Sequence, residues 1–281
     1  MDNYQQLLFP YAYNILGSVD DARDAVQEVL TRYFSAGKTD IRDEKNYLIK
    51  GVINQAINQK KRNSRLISPE AVWLPEPVAT EDGADRELYL KDILSYSLMV
   101  LMEKLPPLER AVFILSESFE YPHKEIGELL TITEEYSRKL LSRAKARLFK
   151  PAAVTTTREQ QARITALLEN YIDAIRQRDM PRLEHMLADD IAYFADGGGK
   201  LKVVAKSCTG SAAVAELLVL VYNRFQMKAD VQLRWVNHQP AFLFYMGGKL
   251  GNCMIYEFNA DYTQILRINT MVDPGKLRNL E

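Results

Sequence analysis

The segment from Tyr121 to Lys150, YPHKEIGELLTITEEYSRKLLSRAKARLFK, constrains the fold of this chain more than any other feature. Its apolar residues recur at helical spacing in two short runs, and the polar residues 131–133 separate them. The pattern predicts two short helices joined by a tight turn, the second beginning near Glu134. Such a pair can pack one side of the second helix on its partner and place the other side in a DNA major groove.

The predicted second helix has one apolar face and one basic face. The apolar residues at helical spacing are Tyr136, Leu140, Leu141, Ala144 and Leu148. The hydroxyl and basic residues around the other side are Ser137, Arg138, Lys139, Ser142, Arg143, Lys145 and Arg147. An ordinary amphipathic helix with a solvated basic face fits the same pattern, because sequence specifies helix-turn-helix geometry poorly.

Charge is strongly segregated along the chain, although its formal net charge is only −1. All charged residues from 45 to 65 are basic, those from 66 to 87 are acidic except Arg86, and basic residues return from Arg138 onward. Phosphate contacts depend on local rather than total charge. Two separate basic patches therefore predict two contacts with a polyanion.

The composition disfavours several other classes of protein. Cys208 and Cys253 are the only cysteines, too few for a disulfide framework and without the spacing of a zinc site, so we expect reduced thiols in a cytoplasm. Neither the start, MDNYQQLLFP, nor the longest apolar segment, 212–222, predicts a secretion signal or a membrane anchor. No metal or cofactor is expected.

The 281 residues suffice for two domains or three small ones. Residues 66–87 carry three prolines and predict a linker. Trp73 and Leu74 inside it are large apolar groups, so part of the linker either docks on another surface or plugs the space beneath a loop. On either side of the linker, helices are predicted over Tyr4–Leu16, from Ser18 or Asp20 to Phe34 (with Ser18 as a possible N-cap), and over Glu44–Asn63, Leu88–Glu103 and Pro107–Glu120.

The pattern changes to α+β from Glu159 onward. A long amphipathic helix and a short one near 182–187 precede residues rich in Val, Ile, Tyr and Phe, and a helix at Ser211–Phe225 interrupts them. A helix hairpin followed by a curved sheet forms a cone that can enclose a pocket. Strands are predicted over Ile191–Ala195, Leu201–Lys206, Val231–Val236, Phe242–Met246, Cys253–Phe258 and Gln264–Met271.

Several motifs together resemble one bacterial protein family. Residues 13–34 are similar to the early part of sigma region 2, and residues 105–148 are similar to region 4. WLPEP at 73–77, DGGGK at 196–200 and DPGKL at 273–277 resemble short signatures of extracytoplasmic-function sigma factors with a fused C-terminal SnoaL-like domain. The resemblance covers nearly the full length of the chain.

This resemblance implies a multidomain fold: two all-α sigma domains and an α+β SnoaL-like (nuclear transport factor 2-like) cone. The implied division is region 2 over 1–65, the linker over 66–87, region 4 over 88–150 and the cone over 158–281. It also implies a promoter-specific transcription initiation factor that is not an enzyme. Its partners would be core RNA polymerase, through the β′ clamp and the β flap, and promoter DNA, with no membrane partner.

The resemblance also assigns expected roles to individual residues. The expected polymerase contacts are Asp24, Gln27 and Glu28, which could equally be a solvated helix face. The expected contacts to the −10 element are Asn54, Asn58, Lys60, Lys61, Arg62 and Arg65. The expected contacts to the −35 element are Ser137, Arg138, Lys139, Ser142, Arg143 and Lys145. Asn54, Asn58 and Tyr47 depart from the family's usual Arg, Asp and Trp, which leaves the −10 preference open.

The family further implies that the cone regulates the sigma domains in cis. We expect the DGGGK loop and the DPGKL tail to lie near the WLPEP linker, although three glycines also suit a plain hairpin turn. The residues expected at this regulatory contact are Trp73, Leu74, Pro75, Glu76, Pro77, Asp196, Gly197, Gly198, Gly199, Lys200, Asp273, Pro274, Lys276 and Leu277.

Two rival interpretations remain open at this level. One is a DNA-binding activator whose cone senses a small ligand. The other is an enzyme with a DNA-binding appendage, because relatives of the cone by fold use an Asp or His as a general base. The formal candidates for such a base are Asp196, Asp190, His185 and His238, and they form no convincing acid-base pair. An unknown small ligand in the cone is compatible with all interpretations.

Overall fold

The structure is a computed structural model that describes residues 2–36, 43–63, 72–80, 88–148, 157–199 and 201–280. These residues form two compact units. The first unit contains the helices on both sides of the linker, up to residue 63 and from 88 to 148. The second contains residues 72–80 and everything from 157 onward. By its contacts, the described part of the linker therefore belongs to the C-terminal unit.

The first unit begins with helices α1 (Asp2–Leu16), α2 (Val19–Ser35) and α3 (Glu44–Asn63). Ser18 is the N-cap of α2, as predicted: its hydroxyl accepts a hydrogen bond from the Asp21 amide at 3.3 Å. A Cβ on Gly51 would lie 2.9 Å from a Val29 methyl carbon, so α2 and α3 approach closely only because residue 51 has no side chain.

The single helix predicted over 88–103 is broken in the structure. A 3₁₀ turn covers Leu88–Asp92, and α4 covers only Tyr96–Met102. The buried Asn14 side chain fills the break, since its amide donates to the Asp92 carbonyl at 2.8 Å and its oxygen accepts from the Leu94 amide at 3.1 Å. A buried amide thus satisfies backbone groups that a continuous helix would pair internally.

The predicted helix-turn-helix is present. After α5 (Pro107–Glu117) come α6 (His123–Leu130) and α7 (Glu134–Arg147). The turn depends on Thr131 in the left-handed region, with φ 57°, and on the Thr133 hydroxyl, which accepts from the Tyr136 amide at 3.1 Å. A Cβ on Gly127 would lie 2.8 Å from the Ile132 carbonyl oxygen, so this glycine lets the turn fold back on α6.

The second unit is an α+β layer structure. Helices α8 (Arg158–Gln177) and α9 (Met180–His185) precede strand β1 (Leu187–Asp196), the short β2 (Ser207–Thr209) and helix α10 (Ser211–Val221). The later elements are β3 (Asp230–Val236), β4 (Gln239–Met246), β5 (Lys249–Phe258), β6 (Ile265–Met271) and the terminal helix α11 (Pro274–Leu277). The described strands form one sheet in the order β2-β1-β6-β5-β4-β3, antiparallel except for the β1–β6 pair.

One strand prediction is wrong. Residues 201–206 are not a strand, and pairing with β1 starts only at Lys206, whose carbonyl accepts from the Ala195 amide at 2.9 Å. The Leu201 amide instead bonds back to the Gly197 carbonyl at 3.0 Å, which closes a turn. This turn carries residues 201–204 to a cavity in the second unit, where all four line the wall without joining the sheet.

Candidate nucleic-acid interface and linker dock

The outer face of α7 is accessible. Arg138, Lys139 and Ser142 are exposed, and the two cations pair with glutamates one helical turn earlier on α7. Exposed pairs of this kind contribute little to stability, so a competing phosphate can replace the carboxylate at low cost. This face has the exposed charge and hydrogen-bonding groups that a DNA-reading helix needs.

Ser137 does not belong to this face. Its side chain is fully buried, and its hydroxyl lies 2.8 Å from Nδ1 of His123. The prediction that Ser137 contacts DNA is therefore wrong for this conformation, because Ser137 links α7 to α6. The buried stripe of α7 differs from the predicted one at its start: Ser137 faces inward and Tyr136 is 42% exposed, whereas Leu140, Ala144 and Leu148 are buried as predicted.

The other basic residues of α7 are tied to α5. Arg143 lies 3.3 Å from the buried Glu109 carboxylate, Arg147 pairs with the same carboxylate, and Lys145 lies 2.8 Å from Glu117. All three retain about half of their exposure. They can position α7 relative to α5 and still present charge to a phosphate, which suits the positional role predicted for Arg143 and Lys145.

The α3 residues expected to contact the −10 element differ in their exposure. Lys61 and Arg62 are exposed, as is Asn58, and Asn54 is half-buried. Lys60 is different, because its side chain is only 12% exposed and its ammonium lies 2.7 Å from the Glu103 carboxylate and 2.9 Å from the Leu16 carbonyl. The prediction of Lys60 as a phosphate contact is wrong for this conformation. Arg65 lies outside the described residues.

Lys60 belongs to a charge cluster that joins the two helical halves of the first unit. Glu103 also pairs with Arg110, whose side chain is fully buried and whose Nε donates to the Asn14 carbonyl at 2.9 Å. Burial alone would raise the pKa of Glu103, but Arg110 and Lys60 outweigh it and hold that pKa below its usual range. Lys50 adds a second link, since its ammonium donates to the Glu128 carbonyl of α6 at 2.7 Å.

The three residues predicted to contact polymerase lie on the exposed face of α2. Asp24 and Gln27 are exposed, and Glu28 is exposed while it pairs with Arg32 at 2.5 Å and with the Gln55 amide of α3. The contact between Glu28 and Gln55 ties α2 to α3 at the surface. All three carboxylate or amide groups are accessible from outside the unit, and their role in binding remains a prediction.

The linker is held inside the second unit by a buried ion pair. Asp196 at the end of β1 lies 2.7 Å from the ammonium of Lys276 on α11, and both side chains are at least nine-tenths buried. Leu74 of the linker bonds to the same two residues. Its amide donates to the Asp196 carboxylate at 2.8 Å, and its carbonyl accepts from Lys276 at 2.6 Å. The Lys276 ammonium also lies 4.3 Å from the centre of the Trp73 ring.

The next residues of the linker extend the sheet. Val78 forms two hydrogen bonds with the fully buried Asn237, both at 2.8 Å. The Val78 amide donates to the Asn237 side-chain oxygen, and the Val78 carbonyl accepts from the Asn237 backbone amide. Ala79 forms an isolated bridge with Val236, and the Thr80 amide donates to the Trp235 carbonyl at 2.9 Å. The linker therefore pairs with the end of β3 as an added edge segment. The residues around Asn237 indicate a turn in the sequence, and no local pattern predicts this contact with the linker.

The glycine loop and the C-terminal tail meet at one point. Gly198 has φ 64°, and a Cβ there would lie 2.0 Å from a carboxylate oxygen of Asp273. Its amide donates to Asp196 at 2.7 Å, while Asp273 caps α11 through the Gly275 amide at 3.0 Å. The three motifs WLPEP, DGGGK and DPGKL thus lie together, as expected from the sequence. We call this contact the linker dock; it comprises Trp73, Leu74, Asp196, Gly198, Asp273 and Lys276.

The remaining motif residues surround the linker dock. Pro75, Glu76 and Pro77 of the linker are buried, as are Gly197 and Leu277, whereas Gly199 and Pro274 are exposed. Lys200 lies outside the described residues. The regulatory role of the whole set stays a prediction at this stage.

The candidate general bases do not converge on a pocket. Asp190 and His185 are exposed, and His238 lies in the β3–β4 turn with φ 59°. Asp196 is paired with Lys276 in the linker dock. None of the four lines the cavity of the second unit. In the part of the chain that the structure describes, no group of three His, Cys, Asp or Glu residues could hold a metal ion, and no helix is long and apolar enough to cross a bilayer.

Comparison with known proteins identifies both parts of the first unit. Residues 1–66 match the Sigma-70 region 2 family, and residues 95–148 match the family described as Sigma-70, region 4. The ECF RNA polymerase sigma factor SigJ of Mycobacterium tuberculosis is 28% identical over 228 residues, which is 79% of this chain and 72% of SigJ. The chain is an extracytoplasmic-function sigma factor.

Further similarities extend over the whole sigma factor. The probable ECF RNA polymerase sigma factor SigI of M. tuberculosis is 25% identical over 280 residues, 98% of this chain and 92% of SigI. The crystal structure of M. tuberculosis SigJ matches the fold with a TM-score of 0.77 at 24% identity, covering 99% of this chain and 97% of that one. The second unit of the sigma factor is an α+β domain whose described strands form one sheet. The family and the multidomain fold that the sequence motifs predicted are thereby confirmed.

Membership of this family also settles the class of function. The sigma factor directs promoter-specific transcription initiation and is not an enzyme, since sigma factors initiate transcription without catalysing a reaction. The rival interpretation as an enzyme with a DNA-binding appendage is therefore wrong.

Proposed function

We propose that this sigma factor binds core polymerase through the Asp24 face of α2 and reads two promoter elements with α3 and α7, under control of the linker dock. The exposed cations of α3 and α7 support the DNA contacts, and the polymerase clamp and flap would be the binding regions on the enzyme. Because polymerase and promoter DNA share the cytoplasm, the proposal places the protein there. The observation that carries regulation in cis is the Asp196–Lys276 ion pair, which fixes the linker in the SnoaL-like unit.

The distance between the two promoter elements supports the proposal that the first unit must open. Their names place them about 25 base pairs apart, which is about 85 Å at about 3.4 Å per base pair. A compact unit of about 140 residues has a radius of gyration of about 14 Å, equivalent to a sphere about 37 Å across. As long as α3 packs on the helix-turn-helix, the two reading helices cannot reach both elements. Initiation therefore requires the two halves of the first unit to separate.

The linker limits how far those halves can separate. The 25 peptide steps from Asn63 to Leu88 span at most about 85 Å when fully extended, which only just equals the distance between the elements. Residues 72–80 are held at the linker dock and on β3, so they cannot extend while these contacts persist. Release of the linker is then the step through which the C-terminal unit controls promoter binding.

The test is in vitro transcription with core polymerase and the full chain. Lys276→Met breaks the ion pair and leaves Asp196 buried without its partner, a change that typically costs about 3–5 kcal/mol in local stability. We expect several-fold more transcript from the variant than from the unaltered chain. Lys249→Met, at an exposed position on β5 remote in sequence from the linker dock, is the matched control and should leave transcription unchanged.

Two results would overturn parts of the proposal. Failure of the unaltered chain to support any promoter-specific transcript with core polymerase would remove its role as an initiation factor. Equal or lower transcription from Lys276→Met, with a normally folded first unit by circular dichroism, would remove the linker dock as the regulatory contact.

A further inference from the structure

The SnoaL-like unit encloses a cavity of about 390 Å³. Its floor is one face of the sheet, to which β1, β4, β5 and β6 contribute lining residues. Its opposite wall is formed by the end of α10 and the π-helical turn Tyr222–Gln226 that follows it. The volume lies within the usual range of small-molecule sites, about 300–1,000 Å³.

Two buried polar side chains lie in the cavity wall. Asn252 is 9% exposed and Thr270 is 2% exposed, and both line the cavity. Among the described residues, the side-chain oxygen of Asn252 has no hydrogen-bond partner, whereas the hydroxyl of Thr270 lies beside the Tyr193 hydroxyl, which also lines the cavity. An unpaired buried polar group costs about 1–3 kcal/mol, so a group that enters the cavity and bonds to it recovers that free energy. These atoms point to a ligand that carries a polar group.

The mouth of the cavity is apolar. Leu201, Val204, Phe225 and Met246 line it, and each is 45–51% exposed. Large apolar side chains gathered at an opening mark a binding surface more often than a solvated one. Lys202 is the charged residue among the described lining residues, so the cavity has no carboxylate or imidazole for acid-base chemistry.

We propose that the cavity binds a small, mainly apolar molecule that carries a hydroxyl group. The apolar body fills the space between the sheet and the π-helical turn, and the hydroxyl reaches Asn252 and Thr270. A hydroxyl both donates and accepts, so it satisfies either orientation of the Asn252 amide. No covalent step is involved, in keeping with the absence of a general base among the described lining residues.

The cavity shares its walls with the linker dock. Ala195 lines the cavity and Asp196 follows it at the linker dock, while Val272 lines the cavity and Asp273 follows it. The turn after Gly198 supplies Leu201 at the mouth. A ligand that packs against this turn orders the segment on which the Asp196 contacts depend, and so stabilises the docked linker. This link to regulation rests on the proposed function, whereas the binding itself does not.

The experiment uses the full chain and decahydro-2-naphthol, a bicyclic alcohol that does not absorb where tryptophan does. Isothermal titration calorimetry should show saturable binding with one site. Asn252→Leu keeps the volume but removes the amide, and should weaken binding about three- to tenfold, the cost of one hydrogen bond. Val272→Trp fills the cavity from the residue that follows β6 and should weaken binding at least about tenfold.

Leu220→Trp is the matched control for Val272→Trp. Leu220 is 50% exposed on α10 and does not line the cavity, so the same bulky residue there should leave binding unchanged. Thermal unfolding of each variant confirms that it is folded. No saturable heat with the unaltered chain, or equal affinity in Val272→Trp, overturns the cavity as a binding site. Equal affinity in Asn252→Leu overturns the polar contact.

A second readout tests the link to the linker dock. In a Trp235→Phe background Trp73 is the only tryptophan, and its quenching by acrylamide reports on the docked linker. Decahydro-2-naphthol should reduce the quenching constant about twofold as the linker dock tightens. Binding without this reduction overturns the coupling. Because calorimetry and quenching use the protein without polymerase, failure here is distinguishable from failure of the proposed transcriptional role.

Discussion

Arg138 and Ser137 are adjacent in sequence but have opposite environments at the residue scale. Arg138 is exposed on the outer face of α7, and Ser137 is buried against His123. Arg138→Ala should weaken promoter binding by about 1–3 kcal/mol and relax the preference for one base, if Arg138 reads a base edge. Binding of the holoenzyme to promoters varied at single −35 positions measures this effect. Equal loss on every sequence would show a phosphate contact instead.

Ser137→Ala is predicted to act on folding rather than on base preference. The change removes a buried hydrogen bond to His123 and should lower the free energy of unfolding by about 1 kcal/mol. Urea unfolding of the full chain measures it. A change in base preference, at equal stability, would contradict the buried position of Ser137.

Gly198 and Gly199 provide a matched pair at the linker dock. Both have positive φ, 64° and 72°, but a Cβ on Gly198 would overlap Asp273, whereas one on Gly199 would meet nothing within 4 Å. Gly198→Ala should therefore loosen the linker dock and raise the rate of proteolysis in the linker, while Gly199→Ala carries the backbone strain alone, about 1 kcal/mol. Equal proteolysis rates in the two variants would show that the close approach to Asp273 is unimportant.

At the scale of elements, the contact between α3 and the segment after α4 depends on Glu103. The folded-state pKa of Glu103 is lowered, so its stabilising contribution is present above the ordinary glutamate pKa of about 4.3 and is lost as the pH falls through the lowered value. Glu103→Gln should reduce the free energy of unfolding at neutral pH by about 3 kcal/mol, because Arg110 stays buried without its counterion. It should also flatten the acid side of the pH–stability curve.

The control for Glu103→Gln is Glu117→Gln. Glu117 pairs with Lys145 on the surface, where an ion pair contributes about 0–1 kcal/mol. Unfolding curves between neutral and acid pH compare the two variants. An acid side as steep in Glu103→Gln as in the unaltered chain would rule out Glu103 as the titrating group.

Element boundaries were predictable wherever local periodicity decides them. The predicted bounds of α3, Glu44–Asn63, are those observed. The helix predicted over 88–103 is broken because Asn14, about 80 residues earlier in the chain, bonds to the backbone there. The segment 201–206 has strand composition, but its residues 201–204 line the cavity, since the turn at Gly197 delays pairing with β1. Both misassignments result from long-range contacts that no local pattern encodes.

At the scale of the whole molecule, the proposed function predicts a change in distance within the first unit. Asn58 on α3 and Ser142 on α7 are exposed, so cysteines there can carry spin labels in a Cys208→Ser background. Cys253 is fully buried, and burial raises the pKa of its thiol, which keeps it unreactive. Pulsed dipolar spectroscopy should give a distance below about 40 Å for the isolated chain, the diameter expected for a compact unit of this size.

With core polymerase and promoter DNA the same distance should exceed about 50 Å, because the two elements lie about 85 Å apart along the duplex. In complex with core polymerase, the Lys276→Met variant should have a larger fraction of molecules at the long label distance than the Lys249→Met variant. An unchanged distance on promoter binding would show that the compact first unit is itself the active form.

The sequence by itself determined the helix-turn-helix, the order of domains and the family, because periodicity, capping residues and short motifs are local and survive without knowledge of the partner surfaces. It also indicated that the three motifs around Trp73, Gly198 and Lys276 meet. Only the tertiary structure decided which polar groups are used internally: Ser137 bonds to His123 and Lys60 to Glu103, whereas the side-chain oxygen of Asn252 has no partner among the described residues. A side chain's availability depends on what packs against it, and that neighbour is usually distant in sequence.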